Sequence, residues 1–135
     1  MQPIDLADFL LIAEAVTGLR AAELGTAPHV VARAESALAA PFAGFDDTDI
    51  YPDLVTKAGI LCSRVLRNHP LPDGNKRVAY LCMIELVRRN GATWRPVATV
   101  RERVDTVERL ASRQLDEADF VTWLAAQVGD VSEST

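Results

Sequence analysis

Apolar and polar positions alternate at helical spacing along most of the chain. Leu6, Phe9, Leu10, Ala13 and Val16 recur at intervals of three and four after Asp5, which can cap with Asp8, and the run stops at Gly18. This pattern predicts a first amphipathic helix. A second is predicted from Pro28 to Ala39, where Val30, Val31, Ala34, Ala37 and Leu38 form the apolar side, with Pro28 suited to the first turn and Pro41 to a stop. From Pro41 to Pro52 there is no period, and the Pro, Gly and Asp content predicts a loop with exposed aromatics that can cover a neighbouring surface.

A third helix, from about Tyr51 to Asn68, carries Leu54, Ala58, Leu61, Cys62 and Val65 on one stripe. Lys57, Arg64 and Arg67 fall on others, expected to face water. The fourth, from about Gly74 to Asn90, is apolar almost all round, which predicts a central, buried helix. Glu85 is its interruption and is expected to pair with an arginine. Arg88 and Arg89 suit the negative end of the dipole, and Asn90-Gly91 a left-handed cap. Two more helices, near Val97 to Ser112 and Asp116 to Val128, precede a polar tail over residues 129–135 that is expected to fray. No strand pattern or repeat is evident. The expectation is an all-α bundle of about six helices around one buried helix, forming a single domain over residues 1–128.

Composition narrows the classes. With 135 residues, 49% of them hydrophobic and 24% charged, and a mean hydropathy of +0.07, the chain suits one globular domain that needs no disulfide or metal staple. A net charge of -5 and a pI near 5.0 disfavour nucleic acid as a partner, because a phosphate backbone is repelled unless the cations cluster. Cys62 and Cys82 fall in apolar helical patterns and read as buried free thiols of a reduced compartment. No apolar run reaches about 18 residues, and the acidic N-terminal stretch lacks a secretory signal's layout. A cytoplasmic protein with no membrane partner is expected.

The chemistry concentrates in NHPLPDGNKR, Asn68 to Arg77. A residue before proline is pushed out of the α region, so His69-Pro70 and Leu71-Pro72 predict a stiff, extended connection between the third and fourth helices, with Leu71 as its apolar anchor. The fourth helix then starts in Asp73-Gly74-Asn75, where free backbone N–H groups and the positive dipole end form an anion site. Lys76 and Arg77 sit in the first turn, the wrong end of a helix for cations on stability grounds alone, so something negative is expected there. Asp73 has two readings: a ligand for Mg²⁺ bridging to a phosphate, or a plain helix cap. His69 likewise is either a general base for a hydroxyl or an exposed bystander. The P-loop pattern is absent, and His29, His69, Cys62 and Cys82 lack the paired spacing of a zinc site.

The stretch HPLPDGNKR resembles the signature of the Fic/Doc proteins, and residues 41–91 resemble the central part of the death-on-curing branch, a small all-α fold. The resemblance implies that His69 deprotonates the target hydroxyl, that Asp73 is the metal-associated acid, that Gly74 and Asn75 form the phosphate-cradling turn, and that Arg77 contacts phosphate. Leu71 replaces the usual phenylalanine. Lys76 stands where adenylylating members have glycine, and Tyr80 where they have a second arginine. The death-on-curing branch carries the same lysine and binds its nucleotide reversed, so the resemblance implies transfer of the γ-phosphate of ATP, with Mg²⁺, to a Ser or Thr hydroxyl. It further implies a toxin of a toxin–antitoxin pair that acts on elongation factor Tu and halts translation. AMP transfer, or a catalytically silent binding module, are the competing readings. The [ST]-x-x-x-E-[GN] pattern of an internal inhibitory helix is absent, which points to an antitoxin acting in trans on an apolar groove, expected between the first helix and the Pro41–Pro52 loop.

Overall fold

The computed structural model describes residues 1–129. Helix α1 (Leu6–Thr17) is followed by the single turn α2 (Ala21–Leu24), α3 (Pro28–Ala39) and a 3₁₀ turn (Ala40–Phe42). A small hairpin, β1 (Gly44–Phe45) and β2 (Thr48–Asp49), leads into α4 (Leu54–Asn68) and α5 (Asn75–Arg89). Strand β3 (Thr93–Trp94), α6 (Val100–Ala111), α7 (Glu117–Ala125) and β4 (Val128–Gly129) complete the described chain. The fold is all-α, as expected.

Local chemistry sets the helix ends. Asp5 and Asp8 form a reciprocal capping box at α1, and Gly18 closes it at φ 77°. Pro28 opens α3, where its missing N–H costs nothing. Asp53 caps α4 by accepting the Thr56 N–H at 3.0 Å, Thr99 and Glu102 form a second capping box at α6, and Gly91 at φ 87° follows α5. Glu85 does pair with an arginine, Arg89, at 3.2 Å, and Arg89 also reaches Asp8 at 2.6 Å and so ties α5 to α1.

Helices α4 and α5 pack against each other along their length. Helices α3 and α7 flank α4, while α1 and α6 flank α5. Phe9, Leu61, Leu71, Met83, Leu86, Phe120 and Leu124 are fully buried in the core, where each such side chain contributes about 1.5–3 kcal/mol. Gly59 permits the close approach of α7, since a Cβ there would lie 2.7 Å from Val121 Cγ2.

Four features depart from the sequence expectation. The turn α2 is additional, because one helical turn shows no period. Two antiparallel pairs of two-residue strands occur: Phe45 opposite Thr48 across a turn in which Asp46 and Asp47 adopt φ 49° and 64°, and Trp94 opposite Val128. Gly129, placed in the tail by sequence, pairs with Thr93, and residues 130–135 lie outside the described residues. On α5, Leu81 remains 37% exposed, so the helix has one open side and shares the central position with α4.

The fourth departure is Lys57, which does not face water. It is 1% exposed, and its ammonium donates to Asp49 Oδ2 at 2.9 Å, to the Pro41 carbonyl at 3.2 Å and to the Tyr51 carbonyl, with the Phe42 ring 5.1 Å away. A buried ammonium needs such partners to offset its desolvation. Here all of them come from the 41–53 segment, which Lys57 thereby holds against α4.

Candidate active site

Helix α4 ends where His69 adopts a left-handed conformation, φ 49° and ψ 58°, with its N–H on the Val65 carbonyl at 3.0 Å. Sequence predicted that this residue leaves the helix, but into extended backbone. The left-handed turn lets it close the helix as a C-cap, at about 1–2 kcal/mol for a residue with a Cβ. Pro70 and Leu71 are buried beneath the turn, Leu71 only 1% exposed, so the anchor role expected of Leu71 is what the structure shows.

Asn75 organises the loop from inside. It is 5% exposed; its Oδ1 accepts the Leu71 N–H at 3.0 Å, and its amide donates to the Leu71 carbonyl at 2.8 Å and to His69 Nδ1 at 3.2 Å. Its side chain is therefore occupied within the protein, and the only group it can turn to a phosphate is its backbone N–H. Sequence reasoning missed this clamp. The available signal was an Asn at the first helical position, where its side chain has no capping role.

The cap of α5 is Gly74 at φ 81°, not Asp73. Asp73 instead accepts the Gly74 N–H on Oδ1 at 2.8 Å, which leaves Oδ2 without a protein donor among the described residues. Gly74 is required twice over: its φ suits glycine, and a Cβ there would lie 2.9 Å from Thr17 Cγ2. Val78 makes the first helical bond to the Gly74 carbonyl. The N–H groups of Asn75, Lys76 and Arg77 have no acceptor among the described residues, so the positive end of a 15-residue helix is open to an anion.

The predicted residues line three neighbouring cavities. Asp73, Gly74 and Arg77 meet Thr17 and Leu19 at the C-terminal end of α1 in a cavity of about 480 Å³. Arg77 also faces a second, about 450 Å³, between α5 and α6, together with Lys76, Tyr80, Leu81 and Val104. His69 lines a third, about 340 Å³, with Pro70, Pro72, His29 and Arg33 of α3. Lys76 lies 3.8 Å from Glu108 across the second cavity, an exposed and weak ion pair, and the Tyr80 ring packs edge-on against Trp94 with centroids 5.8 Å apart. Sequence had not associated His29, Arg33 or Glu108 with the site. They arrive from helices distant in the chain. A larger cavity of about 720 Å³ between α4 and the α6–α7 turn contains none of the loop residues.

The donor set fits a hydrated divalent cation that shares its ligands with phosphate. Among the described residues no group of three His, Cys, Asp or Glu side chains could hold a metal unaided. One free carboxylate oxygen beside an anion site suits Mg²⁺, which is commonly bound by one or two carboxylates, substrate phosphates and water.

The Fic/DOC family model matches residues 3–87. The toxin Doc of Mycolicibacterium smegmatis is 34% identical over 82 residues, covering 61% of this chain and 63% of the relative, so the chain spans a little under two thirds of that protein's length. No solved structure gives a significant match. The matched region includes the cap, clamp and cations built above and extends through most of α5, and it identifies the chain as a member of the Fic/DOC family.

Proposed function

We propose that the chain is a Doc-type toxin and an ATP-dependent protein kinase that transfers the γ-phosphoryl group to a Thr or Ser hydroxyl of elongation factor Tu, so halting translation. The observation that carries this reading is the convergence at one helix N-terminus of three free N–H groups, Lys76 and Arg77, with His69 on the loop that leads into that helix. Phosphoryl transfer needs chiefly positioning and charge neutralisation, and these are what the loop supplies.

In this reading the helix end, Arg77 and Lys76 bind and orient the transferring group. Lys76 must then exchange its weak contact with Glu108 for phosphate. Asp73 Oδ2 would hold Mg²⁺, which when bound offsets phosphate charge. His69 receives the proton of the attacking hydroxyl. The hydroxyl oxygen forms its bond to the γ-phosphorus as the bond to the ADP oxygen breaks.

AMP transfer by the same loop would need the nucleotide in the opposite polarity. Two observations favour the γ-phosphate. Lys76 stands beside Arg77 in the second cavity, and Tyr80, packed on Trp94, provides no charge where AMP transfer is expected to use a second arginine. An antitoxin in trans completes the proposal. Leu11 on α1 and Phe45 and Ile50 of the hairpin, 61%, 79% and 60% exposed, are apolar side chains that such a partner could cover.

Induced expression in bacteria tests this reading. Wild type is expected to arrest growth and retard elongation factor Tu on a phosphate-affinity gel, and His69→Ala to do neither. Growth arrest without the retarded band would overturn the assigned target. Equal arrest by His69→Ala would overturn the catalytic site.

A further inference from the structure

Asn75 does more than hold the loop. Turning its amide over would set the NH₂ group against the Leu71 N–H and the amide oxygen against the Leu71 carbonyl, so Leu71 fixes the orientation through bonds of 3.0 and 2.8 Å. The second amide N–H then points at His69 Nδ1, 3.2 Å away. An amide N–H only donates, so Nδ1 must offer its lone pair.

We infer that Asn75 is a positioning residue that holds neutral His69 as the tautomer protonated on Nε2. In this form the outward ring nitrogen meets a ligand as a donor, suited to a phosphate or hydroxyl oxygen. It cannot take up a proton there. Nε2 becomes a base only after Nδ1 gains a proton from water and Nε2 releases one, which sets Nδ1–H against the Asn75 N–H. The clamp therefore keeps the loop in a resting form, and the basic form requires the Asn75–His69 contact to break. Once it breaks, Nε2 can accept the hydroxyl proton while the oxygen attacks phosphorus and ADP leaves. This consequence rests on the phosphotransfer reading. The tautomer does not, and it can be read without any activity.

The chain has two histidines, His29 and His69. Long-range ¹H–¹⁵N correlation spectra of the full ¹⁵N-labelled chain report both rings, and a His29→Gln sample assigns them. They are recorded well above the ordinary imidazole pKa of about 6.5. His69 is expected to show an imine-type Nδ1 and a pyrrole-type Nε2, while exposed His29 gives averaged values. In Asn75→Asp, whose ionised carboxylate only accepts, the two His69 shifts are expected to exchange character, which a merely structural role for Asn75 would not produce. A pyrrole-type Nδ1, or averaging like that of His29, would overturn the inference. So would unchanged shifts in folded Asn75→Asp. Should that variant not fold, the wild-type spectrum decides.

Discussion

Replacing Lys57 by methionine keeps the length of an unbranched side chain while removing its three donors and its charge. The Pro41 and Tyr51 carbonyls then lose their partner, at about 1–3 kcal/mol for each buried acceptor left unpaired. The Phe42 contact adds about 0.5–1 kcal/mol. Asp49 contributes little, because its side chain is 50% exposed and its carboxylate can return to water. Against these losses stands the desolvation of the ammonium, which methionine avoids. The balance is a destabilisation of about 2–3 kcal/mol, or a fall in Tm of roughly 10 °C for a chain of this size. Urea denaturation monitored by circular dichroism measures it. Hydrogen exchange should also show faster exchange at the Ile50 N–H, which bonds the Ala43 carbonyl at 3.1 Å and closes the base of the hairpin. Lys57→Met within about 0.5 kcal/mol of wild type would refute the reasoning, since that is the range of ordinary surface substitutions.

Further outcomes follow from the same geometry. Gly74→Ala is expected to destabilise through both φ and the Thr17 contact, and in a Thr17→Ser background the loss should shrink to the roughly 1–2 kcal/mol of the left-handed conformation; equal losses in both backgrounds would contradict the packing. Burial alone would raise the Glu117 pKa, but the Arg64 and Ser63 hydrogen bonds and the Arg64 and Arg67 charges outweigh it and hold the carboxyl below the usual glutamate range. A folded value below the unfolded one gives stability that is complete above that range and is lost as pH falls through the folded value. Glu117→Gln should therefore cost about 1–2 kcal/mol near neutral pH and progressively less in acid, as pH-dependent denaturation will show. Burial pushes the Cys82 thiol up to about 12 and raises Cys62 as well, so Ellman's reagent should leave the native protein unmodified and titrate both thiols in denaturant.

The elements that could be read from sequence are those whose determinants are local. Asp5, Gly18, Pro28 and Gly91 fix helix ends through their own backbone chemistry, and Leu71 between two prolines announces a pinned loop. The open helix start from Asp73 to Arg77 was readable for the same reason, as a helix start carries its unsatisfied N–H groups whatever surrounds it. Lys57 was misread because a cation on an amphipathic helix looks solvated until the 41–53 segment folds over it. The strands are two residues long, too short to show alternation, and β3 and β4 come from segments more than thirty residues apart. The Asn75 side-chain clamp was not legible, because its partners are fixed by the left-handed turn at His69, which no local pattern announces.

The central claim is the direction of transfer, and labelled ATP tests it most directly. Purified chain is incubated with Mg²⁺, elongation factor Tu and ATP labelled at either the α- or the γ-phosphate, beside a His69→Ala control. The account predicts label on the factor from the γ position alone and none with His69→Ala. Label from the α position would contradict it.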